Sequence, residues 1–193
     1  MDKRVAIVGA GISGLLACKY AAARGFTPAV FEAQDHVGGV WNHTIESTRL
    51  QNARPTFEFS DFPWPSSVED MFPTNFQVLD YLQSYAHHFG LLPYIKFNSK
   101  VISIDYVGDR IRSWDLWGKA FGCQGNWILK VIHTKDNFTK EYEAEFVIIC
   151  TGWEIQWFPK YSKVWSWIWG RDIFRQSVAF NGLISSGENE WRL

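Results

Sequence analysis

Arg4-Val-Ala-Ile-Val8-Gly9-Ala10-Gly11-Ile12-Ser13-Gly14-Leu-Leu-Ala-Cys18 joins a β-rich run, three glycines spaced G-x-G-x-x-G, and the opening of an apolar-periodic segment. The order strand, tight turn, helix gives the glycine spacing its meaning. Gly9 permits the turn, Gly11 lets a pyrophosphate approach the backbone, and Gly14 lets the helix lie against the strand. The N-terminus of such a helix presents unpaired N–H groups and the positive end of its dipole to that anion. Working outward, Ile12 to Arg24 sets Ile12, Leu15, Leu16, Lys19, Tyr20 and Ala23 at helical spacing, and Gly25 stands where a C-cap glycine belongs. Thr27 to Phe31 is a second β-rich run, completing a βαβ unit. The fold class expected from this start is α/β, Rossmann-like, with a parallel sheet and right-handed crossovers.

Glu32 ends the second strand at the distance from the glycines where a carboxylate accepts hydrogen bonds from an adenosine ribose. Its charge disfavours a 2′-phosphate, which points to FAD or NAD rather than NADP. Gly38-Gly39-Val40-Trp41 follows within a few residues. Backbone without Cβ atoms lets ribityl and phosphate groups pass close, and an indole can lie against a flavin. The doublet resembles the one that flavoproteins of the glutathione-reductase type commonly have beside the flavin pyrophosphate, and that resemblance favours FAD over NAD. Taken singly, each motif has a plainer reading: a glycine-rich turn, a solvated strand-end acid, a loop glycine pair beside a core Trp.

Farther along, Asn52 to Thr74 is rich in Pro, Ser, Asp and aromatics without a period, the pattern of a long structured loop whose rings must pack somewhere. Asn75 to Phe89 repeats apolar residues at three and four (Phe76, Leu79, Leu82, Tyr85, Ala86, Phe89), with Thr74 as N-cap and Gly90 beyond the end. His87 and His88 suit the helix C-terminus better than a metal, since no third ligand accompanies them. Ile95 to Asn98, Val101 to Val107, Trp127 to His133 and Thr139 to Ala144 read as one strand followed by a small antiparallel meander. Glu145-Phe-Val-Ile-Ile-Cys150 is a continuous apolar run, which predicts a buried central strand of the parallel sheet.

With 193 residues, 47% of them hydrophobic and 20% charged, the chain is long enough for one domain or one and a fraction. A net charge of -1 with interspersed signs supplies no basic stripe, so nucleic acid is not expected as a partner. Cys18, Cys123 and Cys150 lack C-x-x-C spacing and read as buried free thiols, which suits a reducing, cytoplasmic setting. The N-terminus reads as neither signal peptide nor membrane span, so the N-x-T sequons at Asn42 and Asn137 are expected to carry no glycan.

The ordered set Gly9 to Gly14, Val30-Phe-Glu32-Ala, Val37-Gly-Gly-Val-Trp41, Phe59-Ser-Asp-Phe-Pro-Trp-Pro65, Val78-Leu-Asp-Tyr-Leu82 and Lys96-Phe-Asn-Ser-Lys-Val101 resembles the plant flavin-containing monooxygenases over residues 4 to about 152. The resemblance implies FAD on Gly9, Ala10, Gly11, Ile12, Ser13, Gly14, Glu32, Gly38, Gly39, Val40 and Trp41. It implies further contacts from the Val101 backbone at the adenine and from the Cys150-Thr151-Gly152 turn. Gln51 falls where many members have an Asn near the flavin ring, a departure that leaves an amide on a longer arm. The implied activity is oxygenation of a soft nitrogen or sulfur nucleophile, a small molecule, with NADPH reducing the FAD and oxygen as co-substrate. No residue is singled out as catalytic, no metal is implied, and oligomeric state is left open. A non-catalytic interaction module and another two-domain flavoprotein, such as a Baeyer–Villiger monooxygenase, are the alternative readings; the lack of a C-x-x-x-x-C pair argues against a disulfide reductase.

The family would continue past Gly152 through F-x-G-x-x-x-H into a second G-x-G-x-x-G domain for NADPH, and neither motif occurs in this sequence. The FAD-binding part is therefore expected at 1–152, incomplete relative to the two-domain fold. Residues 153–193 are expected to form a poorly ordered tail carrying Trp153, Trp157, Trp165, Trp167, Trp169 and Trp191. Back-translated and read one nucleotide later, 172–182 can spell IFSGKVLHSMD, which contains the missing signature and predicts a shifted reading frame, with the polypeptide inactive on its own.

Overall fold

The computed structural model describes residues 3–108 and 125–152. Strand β1 (Arg4–Val8), helix α1 (Ile12–Ala23) and strand β2 (Thr27–Phe31) form the expected βαβ unit, with β1 and β2 parallel from Arg4 opposite Thr27 to Val8 opposite Phe31. Helix α2 (Arg54–Phe57), helix α3 (Asn75–His88) and the short strand β3 (Ile95–Lys96) follow. Strands β4 (Ser99–Gly108), β5 (Gly125–His133) and β6 (Phe138–Ala144) then build an antiparallel meander, and β7 (Phe146–Ile149) returns to pair in parallel with β1. The parallel sheet has the order β3-β2-β1-β7.

Alternation along β1 assigns the layers, because successive side chains leave a strand on opposite faces. Val5 and Ile7 pack into the cluster that holds Leu15, Cys18, Val78 and Tyr85, while Ala6 and Val8 pack into the one holding Val101, Leu129 and Val131. Helices thus cover one face of the sheet and the meander covers the other. Pro28 is tolerated in β2 because β3 pairs only with Val30 and Phe31, which leaves the Pro28 nitrogen without a ladder to supply on that side.

Both long helices bury part of the stripe their spacing predicts, Leu15 on α1 and Leu82, Tyr85 and Ala86 on α3, and add residues it leaves out. On α1 the buried residues are Gly14, Leu15, Ala17, Cys18 and Ala21, whereas Lys19 and Tyr20 are half-buried and Ala23 is exposed. Small side chains bring the helix close to the sheet, so the packed face is the small one. On α3 the stripe is Val78, Tyr81, Leu82, Tyr85 and Ala86, and Phe76 is 55% exposed. Thr74 caps the helix as expected, and the cap is a full capping box: its Oγ1 accepts from Gln77 N while Gln77 Oε1 accepts from Thr74 N.

The loop 52–74 packs its aromatics on that helix. Trp64 stacks on Tyr81 at 4.0 Å, and Phe59 lies 4.3 Å from Tyr85, centroid to centroid. The Tyr81 hydroxyl accepts from Phe59 N and donates to Phe62 O, and burial pushes its ionisation up to about 12. Strand β7 differs from expectation. It lies in the parallel sheet, but among the described residues it is the outer strand and is half-buried along its length. Its ladder is completed by β1 alone, so its side chains keep part of their surface in water. The expected tail at 153–193 and Cys123 lie outside the described residues. No described helix is long and apolar enough to cross a membrane.

Arg4 and Glu145 tie the start of β1 to the entry of β7. Arg4 N and its guanidinium both donate to the Glu145 carboxylate, at 2.6 and 2.7 Å, and this holds the carboxyl at about 2, below its usual 4.5. Because the folded value is depressed, the stabilisation is complete above pH 4.5 and is lost as pH falls toward 2. Both groups are partly exposed, so the expected size is about 1 kcal/mol or less at low salt. Melting of Glu145→Gln against the parent should show a difference at pH 7 that closes between pH 4.5 and 2; a difference constant across that window contradicts the assignment.

Candidate functional site

The site is built at the C-terminal ends of β1 and β2. Gly9 leaves β1 with φ of 101°, and its N–H donates to Phe31 O at 2.8 Å. A Cβ there would lie 2.7 Å from the Cys150 carbonyl oxygen, and one on Gly14 would overlap the Gly9 carbonyl. The turn is therefore as tight as the spacing predicts. Helix α1 then starts at Gly11 with no side-chain cap and no acidic residue in its first turn. Its N-terminal donors are left for a ligand or water.

Ala10 ties three sequence-distant segments together. Its N–H donates to Glu32 Oε2 at 2.6 Å, and its carbonyl accepts from Gly38 N at 3.2 Å. Glu32, 7% exposed, accepts from Gln34 N through its other oxygen at 2.9 Å. Each carboxylate oxygen offers about two acceptor sites, so both retain capacity for a ribose hydroxyl. Gly39 is held against Gly11: a Cβ on Gly39 would stand 3.0 Å from the Gly11 Cα, and one on Gly11 would stand 3.5 Å from the Gly39 Cα. The two glycine motifs meet face to face at the uncapped helix end, a gap that side chains would fill.

The rest of the doublet forms a 3₁₀ turn, Gly39–His43. Trp41 is half-buried and meets Phe57 edge to face at 5.9 Å, whereas Val40 is 71% exposed and has only backbone to offer the gap. Val101 is buried on β4, close to the end of β2, because Ser99 N donates to Glu32 O and Asn98 N to Gln34 O. At the end of β7, Cys150 N donates to Val8 O, and Thr151 Oγ1 is buried with no hydrogen-bond partner among the described residues. A buried orphan hydroxyl beside the glycine turn is what a polar ligand would satisfy.

Gly9, Ala10, Gly11, Gly14, Glu32, Gly38, Gly39, Val101, Thr151 and Gly152 are thus gathered at one end of the sheet. Ile12 is half-buried and Ser13 exposed in the first turn of α1, where their backbone N–H groups are the useful part. Gln51 is exposed ahead of α2, and no hydrogen bond among the described residues links it to the glycine turns. Two features escaped the motif reading. Asn42, noticed only as a sequon, donates from Nδ2 to Val37 O and so pins the doublet loop. Lys19 forms an ion pair with Asp61 and lies 4.0 Å from the Phe89 ring centroid, and burial lowers its ionisation. Cys18 and Cys150 are free thiols pushed up to about 12 by burial. His87 and His88 are exposed, and no described group of three His, Cys, Asp or Glu could hold a metal.

The family model described as flavin-binding monooxygenase-like matches residues 2–163. A putative flavin-containing monooxygenase 2 of Arabidopsis thaliana is 44% identical over 155 residues, which cover 78% of this chain and 33% of that protein. The chain thus spans about a third of that relative's length. Among solved structures, the S-allyl-L-cysteine S-oxygenase of Allium sativum superimposes with a TM-score of 0.63 at 23% identity, over 79% of this chain and 37% of that one. An oxidised steroid monooxygenase bound to NADP gives 0.59 at 24%, over 79% and 26%. These structural likenesses show the fold.

The glycine geometry separates stability from function. Gly14→Ala should cost more than about 3 kcal/mol or prevent folding, because the new methyl meets backbone that cannot yield. Gly11 has φ of -76° and its added Cβ makes only ordinary contact, so Gly11→Ala should melt close to the parent. Thermal unfolding of the two variants decides; equal losses would contradict the packing described.

Proposed function

This chain belongs to the flavin-binding monooxygenase-like family, and from that premise we propose that its glycine cradle holds the dinucleotide of FAD. The observation that carries the reading is the face-to-face approach of Gly11 and Gly39 at the uncapped start of α1. A diphosphate lies there against backbone N–H groups and the helix dipole, with Gly9, Ala10, Ile12, Ser13 and Gly14 forming one wall and Gly38, Gly39 and Val40 the other. Glu32 accepts from the adenosine ribose, and the Val101 backbone borders the adenine. Trp41 lies toward the flavin side, and Thr151 with Gly152 closes the cradle from the end of β7, its orphan hydroxyl finding a partner in the cofactor. Gln51, exposed ahead of α2, offers its side-chain amide to the flavin ring.

When bound, FAD would supply the redox chemistry, with NADPH as the reductant and dioxygen as the oxidant that gives one oxygen atom to a soft nitrogen or sulfur nucleophile and the other to water. The chain's own residues bind and orient the cofactor and keep its diphosphate out of bulk water. A related fold that acts on a thioether, the S-allyl-L-cysteine S-oxygenase, supports sulfur among the substrate nucleophiles. The sequence holds one G-x-G-x-x-G, the one read as the flavin site. The 193-residue polypeptide is therefore proposed to bind FAD without NADPH-driven oxygenation. Free buried thiols support a reducing, cytoplasmic setting.

Purified chain incubated with FAD should keep flavin absorption through desalting and gain thermal stability. Gly11→Ala should lose affinity by tenfold or more while melting like the parent without ligand. A colourless parent, or a Gly11→Ala variant that binds as well as the parent, overturns the reading. NADPH consumption coupled to product formation by the isolated chain would overturn the second part.

A further inference from the structure

The meander face that covers β1 and β2 is apolar at Val101, Ile104, Leu129, Val131 and Ala144. Ser99, His133 and Tyr142 share that face, since Ser99 stands opposite His133 and Tyr142 opposite Leu129. They satisfy one another. Ser99 Oγ lies 3.3 Å from His133 Nδ1, and His133 Nε2 lies 3.1 Å from the Tyr142 hydroxyl. The Ser99 hydroxyl donates its one proton to Phe97 O at 3.0 Å, so toward His133 it can only accept. That leaves the Nδ1 proton to be donated toward Ser99, with Nε2 the ring atom that meets the Tyr142 hydroxyl. Tyr142 in turn meets Phe31 edge to face at 4.8 Å, one residue before Glu32, and Ser99 N donates to Glu32 O at 2.7 Å.

The adenosine half of the proposed site draws on two separate sheets, Glu32 from the parallel one and Val101 from the meander. Backbone bonds from Ser99 N to Glu32 O and from Asn98 N to Gln34 O join them at one corner, and the Tyr142–Phe31 ring contact links them beside it. We propose that the Tyr142–His133–Ser99 relay is a positioning device that fixes the Val101 backbone relative to the Glu32 carboxylate, and so sets affinity for the adenosine portion of the dinucleotide. It rests on the flavin-binding reading above. Sites assembled from separate elements need such supporting bonds to hold their geometry.

The test uses the full chain, FAD, and ADP as a probe of the adenosine and diphosphate alone. His133→Phe keeps the stacking on Phe138, 4.3 Å away, and deletes both hydrogen bonds. It should weaken FAD and ADP alike by about tenfold. His133→Asn restores a donor toward Ser99 and should recover a good part of that loss at a ligand-free melting temperature no higher than that of His133→Phe. ADP affinity of His133→Phe within twofold of the parent overturns the proposal. So does ADP affinity that follows melting temperature in both variants, the mark of a merely structural role. A parent that binds neither FAD nor ADP sinks the flavin reading itself, whereas a parent that binds both with indifferent variants sinks only the positioning role.

Discussion

Ala10, through the two peptide groups that flank it, is the constraint on which the rest of the site depends. Its N–H is held by the Glu32 carboxylate and its carbonyl by the Gly38 N–H. Both partners are buried, where hydrogen bonds are strong and their loss leaves desolvated groups unpaired. One residue therefore links the first glycine turn, the strand-end acid and the glycine doublet. The face-to-face approach of Gly11 and Gly39 follows from that arrangement.

The layers around this residue supply the rigidity. β1 is buried from Val5 to Val8 because helices cover one face and the meander the other. Small residues on α1 let that helix press against the sheet, which brings its N-terminus to the end of β1 rather than above it. The aromatic loop 52–74 is packed on α3 through Trp64, Tyr81 and Phe59, and Lys19 joins α1 to the same loop through Asp61. The ends of β1, β2 and β7 thus converge on a cradle whose walls are backbone.

Much of this was legible because the motifs are local. A strand, a glycine spacing and a helix lie within residues 4–23, and a steric rule such as the one at Gly14 acts between neighbours in sequence. The capping box at Thr74 and Gln77 is likewise local. Spacing finds Leu15 on α1 and Leu82, Tyr85 and Ala86 on α3, but it weighs hydrophobicity and so misses small residues such as Ala17 and Ala21 that close packing on a sheet selects, and Tyr81, which is buried once its hydroxyl finds Phe59 and Phe62. β7 lies in the parallel sheet as its apolar run predicts, and among the described residues its neighbour is β1. Asn42 was hidden by its sequon, and His133 was invisible because its partners Ser99 and Tyr142 lie 34 and 9 residues away, brought together only by strand register.

The claim that two glycine segments act as one diphosphate cradle is tested most directly by amide hydrogen exchange with and without saturating FAD. Slowing of exchange in both 9–14 and 37–41, in step and at the same FAD concentration, is the expected result. Protection of one segment alone, or protection confined to residues remote from both, would contradict the account.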